Sequence, residues 1–174
     1  MPQGHFNIIN PGLQIDQIQL ALPVEGTQTG IVRGMTLVAD NGSFRKADRT
    51  TNADEGDATT PGKVIWWGLQ DQDSPDVLKS GKVSALPCTW PMHIETDQYD
   101  SGGTFTPGGY VSIDDGAVVT DHATTETAIG IVTAAPYNRW VNDRLNNAGG
   151  TERRGQFVSV IRFLSVYLPS LVTA

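Results

Sequence analysis

Three histidines (His5, His93 and His122) and a single cysteine, Cys88, are the side chains with the most chemistry to offer in this 174-residue chain. No histidine stands in an HxxxH or HExxH pattern, so no helix presents a paired metal site. His93-Ile94-Glu95 sets two possible ligands at i and i+2, on one face of a strand, with Asp97 close by. It is the most metal-like set in the sequence, and its plainer reading is a surface histidine beside a carboxylate. Cys88 has His93 five residues on as a base, but between Pro87 and Thr89 it reads as a small packed hydrophobe. Asp54, Glu55 and Asp57 cluster without the spacing of a calcium loop. No GxSxG, P-loop or GxGxxG occurs. The expectation is a protein that is not an enzyme, with no catalytic residue, no cofactor and no metal.

The elements that would position these residues are strands. Nineteen glycines and ten prolines against 18% charged residues favour many turns over long helices. Trp90, Met92 and Ile94 alternate with His93 and Glu95 at period two. Turns follow at residues 100–103 and 107–109. Asp114-Asp115-Gly116 then joins two apolar runs into a hairpin, Asp-Gly being a strong hairpin signal. The same hairpin occurs earlier. Gly34, Asp40 and Gly42 stand about 74 residues before Gly108, Asp114 and Gly116. Trp67-Gly68-Leu69 further aligns with Ile129-Gly130-Ile131, and Gly81-Lys82-Val83-Ser84 with Gly155-Gln156-Phe157-Val158, so two β-units on one plan are expected, with a compensating insertion between them.

Along the chain, residues 1–24 read as an extended N-terminal arm carrying Phe6, Ile8, Ile9, Leu13, Ile15 and Ile18, which either lies on another molecule or forms the first strand of a barrel. Residues 25–174 would form the β-barrel domain. Within it, residues 47–62 make a polar, solvent-facing loop. Ser74-Pro75 starts a short helical turn, with Ser74 as cap, and residues 137–150 make a short helical insertion with Trp140, Val141 and Leu145 on one side. In residues 64–69, adjacent Trp66 and Trp67 must point to opposite faces, one into the core and the other to a second layer, a partner or a ligand. The terminal strand, residues 157–168, has Ile161, Phe163 and Tyr167 on one face and further aliphatics on the other. A symmetry mate is expected to cover the second face, so Trp66, Trp67, Ile161, Phe163 and Tyr167 are the candidate subunit interface.

A net charge of −7 with scattered basic residues speaks against nucleic acid as the partner. One cysteine leaves no intrachain disulfide. No secretory leader is expected from the first residues, and no apolar run is long enough for a membrane helix.

On Glu95-Thr96-Asp97-Gln98-Tyr99, Gly103-Thr104-Phe105, Pro107-Gly108, Asp115-Gly116 and Ile129-Gly130-Ile131-Val132, the chain resembles the capsid decoration or cement proteins of tailed bacteriophages, over roughly residues 30–135 and part of the last strand. That resemblance implies a compact β-barrel or β-tulip, a homotrimer on the outer surface of the virion, with the major capsid protein as partner and no catalytic residue to carry over. The loop at 47–62 and the insertion at 137–150 depart from the simplest members and leave open a tail or baseplate module. A carbohydrate-binding module using Trp66, Trp67 or Trp90 is the other alternative.

Overall fold

The computed structural model describes residues 4–9, 19–49, 53–56, 62–89, 91–120, 128–141 and 156–165. The protein is all-β, of a compact β-barrel class. Among the described residues it has two antiparallel sheets and one short helix. In chain order the strands are β1 (Phe6–Ile8), β2 (Leu20–Pro23), β3 (Thr36–Asp40), β4 (Ser43–Lys46), β5 (Ile65–Gly68), β6 (Lys82–Pro87), β7 (His93–Thr96), β8 (Tyr110–Asp114), β9 (Ala117–Val119), β10 (Gly130–Val141) and β11 (Gln156–Ser165). Helix α1 (Pro75–Ser80) lies between β5 and β6. Its start is the one read from the sequence: the Ser74 side chain accepts from Val77 N, and Pro75 occupies the first turn, where a missing N–H costs nothing. Gly81, in the left-handed conformation, ends it.

The two sheets are one design used twice. Their strand orders are β2-β6-β5-β3-β4 and β1-β7-β11-β10-β8-β9, so each strand of the first unit has a counterpart in the second, and β1 is an extra edge strand. The hairpins β3–β4 and β8–β9 turn on Asn41-Gly42 and Asp115-Gly116, both residues of each pair at positive φ, as a two-residue turn of this hand demands. Val24 makes a parallel bridge to Phe44, and Tyr99 makes the equivalent bridge to Val118, curling each sheet back on itself.

The ladders also correct the expected alignment outside the hairpins. Gly34 N donates to Gly68 O and Gly108 N to Val132 O, both at 2.8 Å, so Gly68 corresponds to Val132 rather than to Gly130. Gly68 pairs with Ala85 and Val132 with Phe163, which sets β6 against β11 four residues away from the match read in the glycines. Glycine punctuation marks turns, whereas ladder register is set by which side chains must face the core.

The larger core cluster lies between the sheets. Val38, Ile65 and Trp67 of the first unit meet Ile94, Val111, Ile113, Val118, Ile161 and Phe163 of the second. A smaller cluster fills the other side of the first sheet, with Leu37, Phe44, Val83 and Ala85 closed over by Ile31 and by Val77 of α1. The tryptophans separate as strand geometry requires. Trp67 is fully buried in the larger cluster and Trp66 packs on Phe44 in the smaller.

One open alternative is decided and three expectations change. The described parts of residues 1–24 are extended but belong to the chain's own sheets: β1 pairs with β7 and β2 with β6. Phe6 is buried and stacked on Trp67, with ring centroids 5.6 Å apart, because the edge of β7 needs an apolar cover. Trp67, Ile161 and Phe163 are wholly buried within this chain, so packing of its own two sheets on each other supplies the cover expected from a symmetry mate. Residues 137–141 are strand, not helix. The loop at 47–62 is not simply solvent-facing, since Ala47, Asp54 and Glu55 are buried. Leu13, Ile15, Ile18, Trp90, His122 and Tyr167 lie outside the described residues.

Candidate functional site

The densest polar constellation is built around Glu95 in the middle of β7. Neighbouring strands place Asn7 of β1 on one side of it and Arg162 of β11 on the other. Its side chain is fully buried and accepts from four donors: His5 Nε2 at 2.8 Å, Arg162 Nε at 2.8 Å, the Tyr137 hydroxyl and the Arg139 guanidinium. A carboxylate only accepts, so His5 must carry its proton on Nε2. Burial by itself pushes the Glu95 carboxyl up. The hydrogen bonds from Tyr137, His5, Arg162 and Arg139 outweigh it and hold the group down at about 2. The same contacts raise the Tyr137 phenol, mainly through burial and then through Glu95, and raise Arg139 through its bond to Glu95. The Arg162 guanidinium also lies over the Tyr137 ring, 5.0 Å from its centroid. Next to the cluster, His5 N and the Gln98 amide both donate to Asp97 at 2.7 Å, while burial raises the Asp97 carboxyl.

This chemistry is that of a brace. Beyond Ala134, where a second irregularity interrupts the register, β10 and β11 pair only with each other, residues 137–141 against 156–160. Alternation along β10 sends Tyr137 and Arg139 inward to Glu95 and leaves Asn138 and Trp140 outward. Trp140 is 56% exposed, and its cross-strand partner Phe157 is 69% exposed. Their rings meet edge-to-face, centroids 5.0 Å apart. The result is a two-stranded ribbon tied at its base by a buried carboxylate, with an aromatic pair displayed on its outer face.

The other candidate residues have structural partners. His93 bonds Thr133 Oγ1 at 2.7 Å and, because of burial and then of Arg162, is harder to protonate than usual. The lone pairs that Glu95 would offer a metal beside His93 are already taken by the donors above. Among the described residues no group of three metal-ligating side chains converges. Asp54 is held by both Arg45 guanidinium nitrogens at 2.6 Å and by Asp48 N at 2.8 Å, a closed bidentate pair and not an acidic cage. Cys88 is buried, its Sγ 3.0 Å from Ser165 Oγ, and burial pushes the thiol up to about 11, far from a nucleophilic thiolate.

Sequence reasoning had singled out Glu95, but as a metal ligand. His5 comes to it from the segment just before β1, Tyr137 and Arg139 from β10 and Arg162 from β11, and no local spacing encodes that. A signal for the ribbon was present in the period-two order Tyr137, Asn138, Arg139, Trp140, which a helical reading overrode.

Fold and site together define a class: an internally duplicated all-β protein with an aromatic ribbon anchored on a buried ion cluster. Compared with protein-family models, with curated proteins and with solved structures, the chain matches none.

Proposed function

We propose that the chain is a non-enzymatic structural protein of a tailed-phage virion, seated on the outer surface of the capsid, where it clamps neighbouring subunits of the major capsid protein. The phage assignment rests on the turn and strand residues that resemble decoration proteins. The observation that carries the binding role is the Trp140–Phe157 pair on its braced ribbon. Exposed aromatics are what protein interfaces bury at their centres, and an anchor already rigid loses little conformational freedom on docking. In this reading the ribbon, rather than residues 1–24, makes the contact, since Phe6 is committed to the chain's own core. A ligand that binds the assembled lattice and not its separated subunits stabilises the lattice by mass action, and many copies sum modest contacts.

Co-sedimentation with the source particle, with the copy ratio to the most abundant shell protein measured by quantitative peptide counting, tests this. The expected result is a high, lattice-like ratio that falls sharply for a Trp140→Ala, Phe157→Ala double variant. Absence from the particle overturns the reading, and a few copies per particle would move it to a tail or baseplate module. Of the tryptophans expected to stack on a sugar, Trp67 is enclosed, so a glycan reading would shift to Trp140, and fluorescence quenching by glycans would reveal it.

A further inference from the structure

The two units of the chain touch in a head-to-tail manner, and among the described residues the contact is made once although the turn that makes it is present twice. In the contact that is made, the β8–β9 turn of the second unit docks on the first. Thr36 N donates to Gly116 O and Gly116 N donates to Ala47 O, each at 2.8 Å. Lys46 Nζ lies 3.5 Å from Asp115 Oδ1. A Cβ built on Gly116 would meet Lys46 at 3.3 Å and Met35 at 3.4 Å, so the turn sits closely against its seat. Under it, Thr36 is wholly buried.

The duplicated topology says what corresponds to each half. The seat of Met35, Thr36 and Lys46 in the first unit corresponds to Gly109, Tyr110 and Thr120 in the second, while the counterpart of Ala47, Asp121, lies outside the described residues. There the surface is hollow: a cavity of about 290 Å³ is lined by Thr104, Thr106, Gly109, Tyr110, Thr120 and Val132, and Tyr110 is 56% exposed where its counterpart is covered. The turn Asp115-Gly116 corresponds to Asn41-Gly42, which has the same positive φ values. Both Asn41 and Gly42 are exposed, and a Cβ on Gly42 would meet nothing within 4 Å.

We propose that the Asn41-Gly42 turn of one copy docks in the Thr104–Thr120 cavity of a second copy, repeating between chains the contact that joins the two units within a chain. The polar partners change together. Where the internal contact sets Lys46 against the exposed Asp115, the contact between copies sets Thr120 against Asn41, a neutral pair in place of a surface ion pair. Gly109 and Thr120 are smaller than Met35 and Lys46, and the larger Tyr110 in place of Thr36 is 56% exposed where Thr36 is buried, which leaves the room. Such a contact is heterologous, so copies add head to tail and close into a ring when the rotation permits. It holds whether or not the assembly sits on a particle.

Sedimentation velocity of the full chain over a range of concentrations is the test, with thermal melts to confirm folding. Wild type is expected to self-associate. Thr120→Arg fills the cavity and Asn41→Arg blocks the turn, and each alone should weaken association at least about tenfold. Each variant keeps the half that the other has lost, so an equal mixture should form one-to-one dimers and nothing larger. A third protein, carrying Asn41→Asp with Thr120→Lys, rebuilds the internal ion pair between copies and should associate at least as tightly as wild type, even where an arginine variant fails to fold. A monomeric wild type, an arginine variant that associates normally, or a mixture that stays monomeric would each overturn the proposal.

Discussion

The first unit, β2 to β6, and the second, β7 to β11, share strand order, hairpin turns and curling bridges, yet they stabilise equivalent places by different means. At the position where the second unit has Glu95 beside Arg162, the register of the first places Ala21 beside Ser84. Where the second unit has Gly130 with Phe163 filling the space above it, the first has the large residue on the other strand, Trp66 near Ala85. The last two strands of the units also differ. In the first unit their connection carries helix α1, which covers the small core through Val77, and the connection of the second lies outside the described residues, while β10 and β11 themselves run on past β7 and β8 as the ribbon. A fold used twice within one chain thus tolerates a volume swap and an apolar-to-ionic swap, provided total packing and polar satisfaction are kept in each copy. Only the second unit also receives β1 on its edge, and with it His5, which directly precedes β1 and donates to Glu95.

The largest expected effect comes from removing what only the second unit has. Glu95→Ala leaves Arg162, Arg139 and His5 facing an empty centre and should cost about 3–5 kcal/mol by denaturant unfolding, the range for breaking a buried charge pair. Ser84→Ala at the equivalent place in the first unit should shift stability by no more than about 0.5 kcal/mol. Equal losses at the two sites would show that the ionic brace is not what distinguishes the units.

The packing swap can be tested by exchange. A Cβ on Gly130 would lie 2.5 Å from the Phe163 ring and 2.9 Å from the Leu164 carbonyl oxygen, so Gly130→Ala should cost about 1–3 kcal/mol, of which loss of the ring relieves the closer clash, and Phe163→Ala about 3–5 kcal/mol through the cavity it leaves. The double variant should cost less than the sum, because each change relieves the other. Strict additivity in that cycle would refute the volume swap.

Acid should sharpen the contrast further. The Glu95 carboxyl is lower in the folded protein, about 2, than its ordinary 4.5. Its contribution is therefore fully present above pH 4.5 and is lost as pH falls from there toward 2. Asp97 and Asp71 are raised by burial, so they act in the opposite direction over the acid range. The difference in melting temperature between wild type and Glu95→Gln should accordingly shrink as pH falls through that window, and a constant difference would contradict the assignment. A modest effect belongs to the first unit's helix: Ser74→Ala removes the cap on Val77 N and should cost about 1 kcal/mol, read by thermal melting.

Much of the fold was legible in the sequence because it is written in short-range rules. Asp114-Asp115-Gly116 and its earlier twin Asp40-Asn41-Gly42 mark hairpins through the φ values that only such residues adopt readily. Ser74-Pro75 marks a helix start. The adjacent Trp66 and Trp67 mark a strand with two covered faces. The helical reading of residues 137–150 failed over its described part, 137–141, for a related reason. Asn, Arg and Asp with a spaced Trp and Leu satisfy a weak helical period, and the ladder with β11 and the bonds to Glu95 outweigh that local preference. The candidate site was half legible: Glu95 stood out as a carboxylate on a strand, while its partners did not.

The amino-acid sequence by itself determined the class of structure, the repeated hairpins, the helix start and the apolar strands, because each depends on backbone preference or on a period of two over a few residues. Tertiary structure alone decided the true register between the units, the burial of Phe6 under Trp67, the meeting of His5, Glu95, Tyr137, Arg139 and Arg162, and which of two equivalent turns is seated and which stands free. Each of these depends on contacts between residues tens of positions apart, where side-chain volume and unsatisfied charge select one arrangement and no local pattern records the choice.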